Sequence, residues 1–222
     1  LGISQKSGWF MMHRVRIMMK DNNVQPLEGV IEADETYMGR KYRSDYKGLT
    51  EHELDHNMTN RKWNKGVVIV MAHPETKTIR VKAFPLLKGR NIAKIVRDNV
   101  KPGTMLHTDE TKVYSSLKPD YSQEQVNHSK GEWVKTTFGG DKITTNHVEN
   151  FWSVMKRGLH GIYHQVSYKH LQRYCDEFTY RYNSRDLKDA DRFKITIQNM
   201  ERRLDWKTLT KPQGQYSHNW ED

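Results

Sequence analysis

Cysteine is almost missing from this chain. Cys175 is the only one in 222 residues, which excludes an internal disulfide and any cysteine-rich zinc site. It falls inside an apolar helical pattern, where a buried structural thiol is expected. Long hydrophobic runs are missing too. No stretch approaches the ~20 apolar residues needed to cross a bilayer, and no signal-peptide pattern opens the chain, so no membrane span and a cytoplasmic location are expected. No internal repeat is visible. The chain starts in mid-pattern at Leu1 rather than at Met, which leads us to expect an upstream part. Acidic residues are in deficit, with 27 Asp and Glu against 37 Lys and Arg, a formal net charge of +10. That imbalance favours an anionic partner, nucleic acid first and an acidic membrane surface second. The length suffices for one sizeable domain with its own core.

What is present is organised around 144–159 (TTNHVENFWSVMKRGL). Helical spacing puts Val148, Phe151, Trp152, Met155 and Leu159 on one apolar stripe. Glu149, Ser153, Lys156 and His160 fall on a polar stripe beside it, with Glu149 and Lys156 two turns apart on one edge. Upstream, 8–20 reads as a basic amphipathic helix that either closes an absent N-terminal module or packs on the core. A strand is expected at 29–37, although its polar residues are awkward for a central strand. The segment from Gly39 to Lys65 is polar and longer than ordinary loops, and is either a contact surface or a solvated insertion.

Runs 66–72 and 78–84 read as a β-hairpin, the first continuous and so buried on both faces, the second alternating. A helix over 91–100 turns Ile92, Ile95, Val96 and Asn99 inward, and strand 104–109 follows. A short helical piece at 113–117, a strand at 123–128 and a Gly-rich connection at 130–142 lead to the organising helix. Behind it, Ser167 caps a helix lined by Tyr168, Leu171, Cys175, Phe178 and Tyr182. A last basic helix is expected at 191–204, then a polar tail from Pro212. The order of elements implies a three-layer α/β fold, an antiparallel hairpin set continued by parallel strands.

Three acids then have defined places: Asp34 in the first strand, Asp109 at the carboxyl end of the fourth, and Glu149 on the helix laid across the sheet. Brought together unpaired, they would repel, and their burial would be costly. A divalent cation removes that cost, and hard oxygen ligands suit Mg²⁺ or Mn²⁺. Two such ions about 3.5–4 Å apart activate an attacking hydroxyl or water and stabilise the leaving oxygen of a phosphodiester. Glu32 and Glu35 flank Asp34, and Glu110 follows Asp109, so the choice of single acids stays open here. Glu32 shares the strand face of Asp34, and Glu35 points the other way.

The segments 30–39 (VIEADETYMG), 107–110 (HTDE), 126–129 (VNHS) and 146–157 (NHVENFWSVMKR), in this order, resemble the DDE transposases of bacterial insertion sequences, in particular the group related to the eukaryotic Merlin transposons. The resemblance runs from about residue 8 to about residue 210. It implies a ribonuclease H-like mixed sheet flanked by helices, with Mg²⁺- or Mn²⁺-dependent cutting and joining of DNA at transposon ends. Asp34 and Asp109 match the family's two aspartates. Asn146 and Glu149 both stand where the third position falls, and Glu149 is preferred because a carboxylate binds Mg²⁺ better than an amide. Lys156 stands where the family's basic residue follows. The resemblance further implies a homo-oligomer working on paired DNA ends in the bacterial nucleoid. It also implies an N-terminal zinc ribbon and helix-turn-helix, of which 1–25 would hold the end. The catalytic core is expected at 26–186, with a basic insertion at 40–65, and a C-terminal helix and tail at 187–222.

Lys156 is expected to grip phosphate beside the scissile bond, with Arg157 either doing the same or lying on a solvated face. Arg40, Lys41, Arg43, Arg61 and Lys62 in the insertion are the further DNA-contact candidates. His107 either orients a water or ligand or is packed, while His128 and His147 are expected to be structural. Phe151 and Trp152 are assigned to the core. Trp133 is the candidate for stacking on an unpaired base or for anchoring its loop. Two rival functions remain, a metal-dependent nuclease or resolvase of the same fold, and a non-catalytic DNA-binding derivative.

Overall fold

The run at 66–72 is uninterruptedly apolar because both of its faces are covered. In the computed structural model, which describes residues 2–21, 25–39, 65–84, 89–109, 112–126, 134–136, 142–164, 166–200 and 203–210, that run is strand β2 (Lys65–His73). It lies between β1 (Val30–Gly39) and β3 (Thr78–Phe84). Val68, Val70 and Ala72 join the core on one face, and Val67, Ile69 and Met71 join the core on the other, as the two-residue period of a strand requires. Strands β4 (Met105–Asp109) and β5 (Ser122–Val126) complete the sheet in the order β3-β2-β1-β4-β5. β2 runs antiparallel to both of its neighbours, whereas β4 runs parallel to β1 and to β5. The sheet is mixed, an antiparallel set continued by parallel strands and flanked by helices, as expected.

Helix α1 is Gln5–Met18, and α2 (Gly89–Asn99) covers one sheet face together with a 3₁₀ turn at Lys112–Leu117. The opposite face is covered by α3 (Asn146–Gly158) and α4 (Tyr168–Asn183). The apolar stripe of α3 is buried as its spacing predicts, through Val148, Phe151, Trp152 and Met155. Gly158 lets α4 approach, since a Cβ there would collide with the ring of Phe178. Two short helices, α5 (Asp189–Gln198) and α6 (Trp206–Thr210), follow.

Three expectations about elements are revised. The connection at 130–142 holds β6 (Val134–Thr136), which pairs with β7 (Lys142–Thr144) as a separate two-stranded sheet. β6 is exposed throughout, so no alternation of apolar and polar residues marks it. The helix expected at 191–204 starts at Asp189 and stops at Gln198, and its first turn carries Asp189 and Asp191, the charge that favours a helix start. α3 itself ends at Gly158 and passes into a π turn, Leu159–Tyr163.

The free edge of β3 is closed by side chains of α4. Asn183 accepts the N–H of Ile79 at 2.8 Å and donates to its carbonyl at 2.9 Å. Gln172 accepts the N–H of Ala83 at 2.7 Å and donates to the Val81 carbonyl at 3.2 Å. An edge satisfied in this way offers less to a stray strand. Helix α1 packs on α4 through an ion pair, Arg16 Nε to Glu177 Oε2 at 2.8 Å with both side chains 2% exposed. Tyr163 donates to the same carboxylate. Trp9 meets Trp206 edge-on, and Asn199 donates to the Met18 carbonyl at 2.9 Å. Among the described residues no helix is long and apolar enough to cross a membrane.

Candidate active site

Parallel pairing of β1 with β4 sets the position of the two aspartates. Ala33 is opposite Thr108, so Asp34 and Asp109 come next in line on adjacent strands, each half-buried. They are close enough to act on each other. Burial pushes the Asp34 carboxyl above its usual range, and the negative charge of Asp109 pushes it further. The Trp152 hydrogen bond, the Glu35 backbone and the Lys156 charge pull it back. The Trp152 indole N–H donates to Asp34 Oδ2 at 2.8 Å.

The neighbouring acids divide between the two faces of β1. Glu35 lies towards the α2 side, where it accepts the hydroxyl of the fully buried Tyr114. Burial raises its carboxyl, and the charges of Asp34 and Asp109 add to the rise. The same three carboxylates, after burial itself, hold the Tyr114 phenol well above its ordinary value. Glu32, on the Asp34 face and wholly buried, has a different task. It accepts the backbone N–H groups of His147 at 2.9 Å and Val148 at 3.4 Å, and it pairs with His147 Nδ1 at 3.0 Å. A carboxylate from a strand thus caps the N-terminus of α3. Its own carboxyl is raised by burial and restrained by these bonds.

Thr145, at the N-cap position, makes no side-chain cap bond. Its Oγ1 donates instead to Glu149 Oε1 at 3.1 Å, in the half-buried first turn of α3. Asn146 is exposed, its N–H donating to Thr144 Oγ1 at 3.1 Å. Lys156 is exposed and lies over the Trp152 ring, 5.7 Å from its centroid. Arg157 is exposed and donates to the Ser153 carbonyl at 3.2 Å. His107, on β4, is buried; burial lowers its imidazole, while Glu124 and the Thr144 backbone oppose that. Arg40, Lys41, Arg43, Arg61, Lys62, Glu110, His128 and Trp133 lie outside the described residues.

The structure therefore brings Asp34, Asp109 and the Lys156 charge together, and sets Glu149 and Asn146 on the first turn of the helix crossing them. Among the described residues no three His, Cys, Asp or Glu side chains form a ready-made metal-holding group. Two mutually repelling carboxylates still fit Mg²⁺, which is commonly held by one or two carboxylates and keeps several waters. Sequence reasoning missed the capping role of Glu32, the Tyr114 bond to Glu35 and the Trp152 bond to Asp34. The first had a signal, an acid two residues before Asp34 on the same strand face. The other two depend on contacts that no spacing reveals.

Residues 26–183 match the family described as ISXO2-like transposase domain. An uncharacterized transposase-like protein of Haemophilus influenzae is 28% identical over 105 residues, which span 47% of this chain and 80% of that protein. Among solved structures, the HTLV-2 integrase catalytic core domain in complex with magnesium (trimeric form) is 9% identical, with a TM-score of 0.39, and the match covers 78% of this chain and 99% of that one.

Proposed function

This chain belongs to the ISXO2-like transposase domain family, and from that membership we propose that it cuts and joins DNA at insertion-sequence ends in a metal-dependent reaction centred on Asp34 and Asp109. The observation that carries the reading is the juxtaposition of those two carboxylates on adjacent parallel strands, Asp34 within β1 and Asp109 at the carboxyl end of β4, with the charges of Asp109 and Lys156 both acting on Asp34. Asp34 and Asp109 would hold the Mg²⁺ or Mn²⁺ ions, two in the fullest form, with Glu149 completing the set from α3. Such ions, when bound, activate a hydroxyl nucleophile and stabilise the departing oxygen of a phosphodiester.

The chain's own groups do the rest. Asp34 and Asp109 would act on the scissile phosphate through the cation they hold, since two bare carboxylates repel it. Lys156, exposed at the rim, offers an ammonium to a neighbouring phosphate of the backbone. In the first step water attacks the phosphorus, the P–O3′ bond breaks, and a 3′-hydroxyl and a 5′-phosphate result. In the second the 3′-hydroxyl attacks a target phosphodiester, forming a new P–O bond and releasing a target 3′-hydroxyl. The DNA is held in addition by basic residues of the insertion, Arg40, Lys41, Arg43, Arg61 and Lys62, and by Arg157. A homo-oligomer would bring paired ends together in the bacterial nucleoid.

Asp34→Asn tests the reading. It should abolish Mg²⁺-dependent cleavage while salt-sensitive DNA binding persists, and undiminished cleavage rules the assignment out. A strand-transfer assay on the parent chain separates a transposase from a nuclease that only hydrolyses.

A further inference from the structure

Trp152 belongs to the apolar stripe of α3, yet the stripe alone does not call for tryptophan. Its companions Val148, Phe151 and Met155 fill the same core with purely apolar side chains. Trp152 is 4% exposed, and a buried indole needs a partner for its N–H. That partner is Asp34 Oδ2, at 2.8 Å. The face of the same ring carries Lys156, whose Nζ lies 5.7 Å from the centroid, within the range of a cation–π contact. One side chain therefore touches the acid with its edge and the cation with its face.

From this we infer that Trp152 is a positioning residue, which fixes the Asp34 carboxylate through a neutral donor and keeps the Lys156 ammonium beside that carboxylate without joining it. The inference rests on the reading of Asp34 as a ligand for a divalent cation. A lysine paired directly with Asp34 would neutralise it and would have to be displaced before a metal could bind. An indole N–H orients one carboxylate oxygen and leaves the charge in place. Outer partners of metal ligands act in this way, and losing one typically costs 10–100-fold in metal affinity.

The test uses the full chain and Mn²⁺ alone, titrated calorimetrically or followed by the loss of the free-ion electron paramagnetic resonance signal. Trp152→Phe removes the N–H, and β-(3-benzothienyl)alanine at position 152 removes it while keeping the bicyclic shape. We expect Mn²⁺ to bind both proteins about 10–100-fold more weakly than the parent, with the benzothienyl protein still folded by circular dichroism. Should Trp152→Phe fail to fold, the benzothienyl protein gives the result by itself. Parental Mn²⁺ affinity in the benzothienyl protein, with binding abolished in Asp34→Asn, overturns the role of Trp152 and leaves the metal site standing. Equal Mn²⁺ binding by the parent and Asp34→Asn removes the metal site itself, and the inference with it.

Discussion

Glu32, fully buried in the middle of the sheet, accepts the backbone N–H of His147 at 2.9 Å, so a strand carboxylate caps the helix that carries Glu149 and Trp152. The bond joins two segments 115 residues apart in the chain. It sets the start of α3 over β1, and with it the height of every α3 side chain above Asp34. Glu32→Ala leaves the N–H groups of His147 and Val148 without that acceptor. A loss of about 1–3 kcal/mol in unfolding free energy is expected, the usual cost of stranding buried donors. Urea unfolding measures it, and Glu32→Gln should recover part, since its amide oxygen still accepts.

Asp34 predicts an unusual pH dependence. Burial and the Asp109 charge raise the Asp34 carboxyl, and Glu32 and Glu35 are also raised, mainly by burial. A carboxyl raised on folding binds more protons in the native state than in the unfolded one. Its contribution therefore weakens as pH rises from the ordinary carboxylate range of about 4 through the raised value. Asp34→Asn removes one of these costs, so the metal-free variant should be more stable than the parent at pH 7, by about 0.5–2 kcal/mol. The gap should close as the pH falls toward about 4, where the parent carboxyl takes up its proton. Thermal melts of both proteins across that range in a chelating buffer test this.

The proposed third metal-holding role distinguishes two residues of one helical turn, Glu149 and Asn146. Glu149→Gln should lower Mg²⁺-dependent cleavage about tenfold or more, by analogy with the loss of metal-site partners, whereas Asn146→Ala should lower it less. Cleavage of a labelled end duplex under single-turnover conditions reads both. The reverse order would move the third role to Asn146.

How far the sequence carried varies with the kind of contact. The strand pattern was legible: 66–72 is apolar on both faces and proves to be an inner strand, and 78–84 alternates and proves to be an edge. The α3 stripe was legible for the same reason, since burial follows period. β6 was not, because three exposed residues have no period to show, and β7, three residues with only Ile143 buried, is too short to show one. Glu32 looked out of place in a central strand because its partners are backbone N–H groups from another segment, which leave no mark on side-chain pattern. Trp152 looked like plain core because spacing reports which face a residue takes and says nothing about its N–H. The basic helix at 8–20 left two readings open. Its Arg16 pairs with Glu177, far along the chain on α4, and that contact shows the packing.

That buried pair carries its own prediction. Arg16→Met alone leaves Glu177 charged in a dry environment, still touched by Arg181 at 2.9 Å and by Tyr163. Breaking such a pair from one side costs about 3–5 kcal/mol, whereas replacing both partners with apolar residues costs far less. A double-mutant cycle with Glu177→Met, followed by denaturant unfolding, should therefore show strong coupling. Additive losses would mean that α1 is held by its aromatic contacts instead.

The edge of β3 gives a further one. Asn183→Ala removes both side-chain bonds to Ile79, and the Ile79 amide should then exchange with solvent faster. Paired with Gln172→Ala, which frees Ala83 and Val81, it should also promote association through the uncovered strand. Amide exchange by nuclear magnetic resonance and light scattering follow the two effects.

The most direct measurement is a crystal of the protein soaked in Mn²⁺, with diffraction collected at a wavelength that reveals the manganese. An anomalous peak between the carboxylates of Asp34 and Asp109, lost in Asp34→Asn, is the predicted result. A peak elsewhere, or none at the concentration that supports cleavage, contradicts a shared metal at these two aspartates.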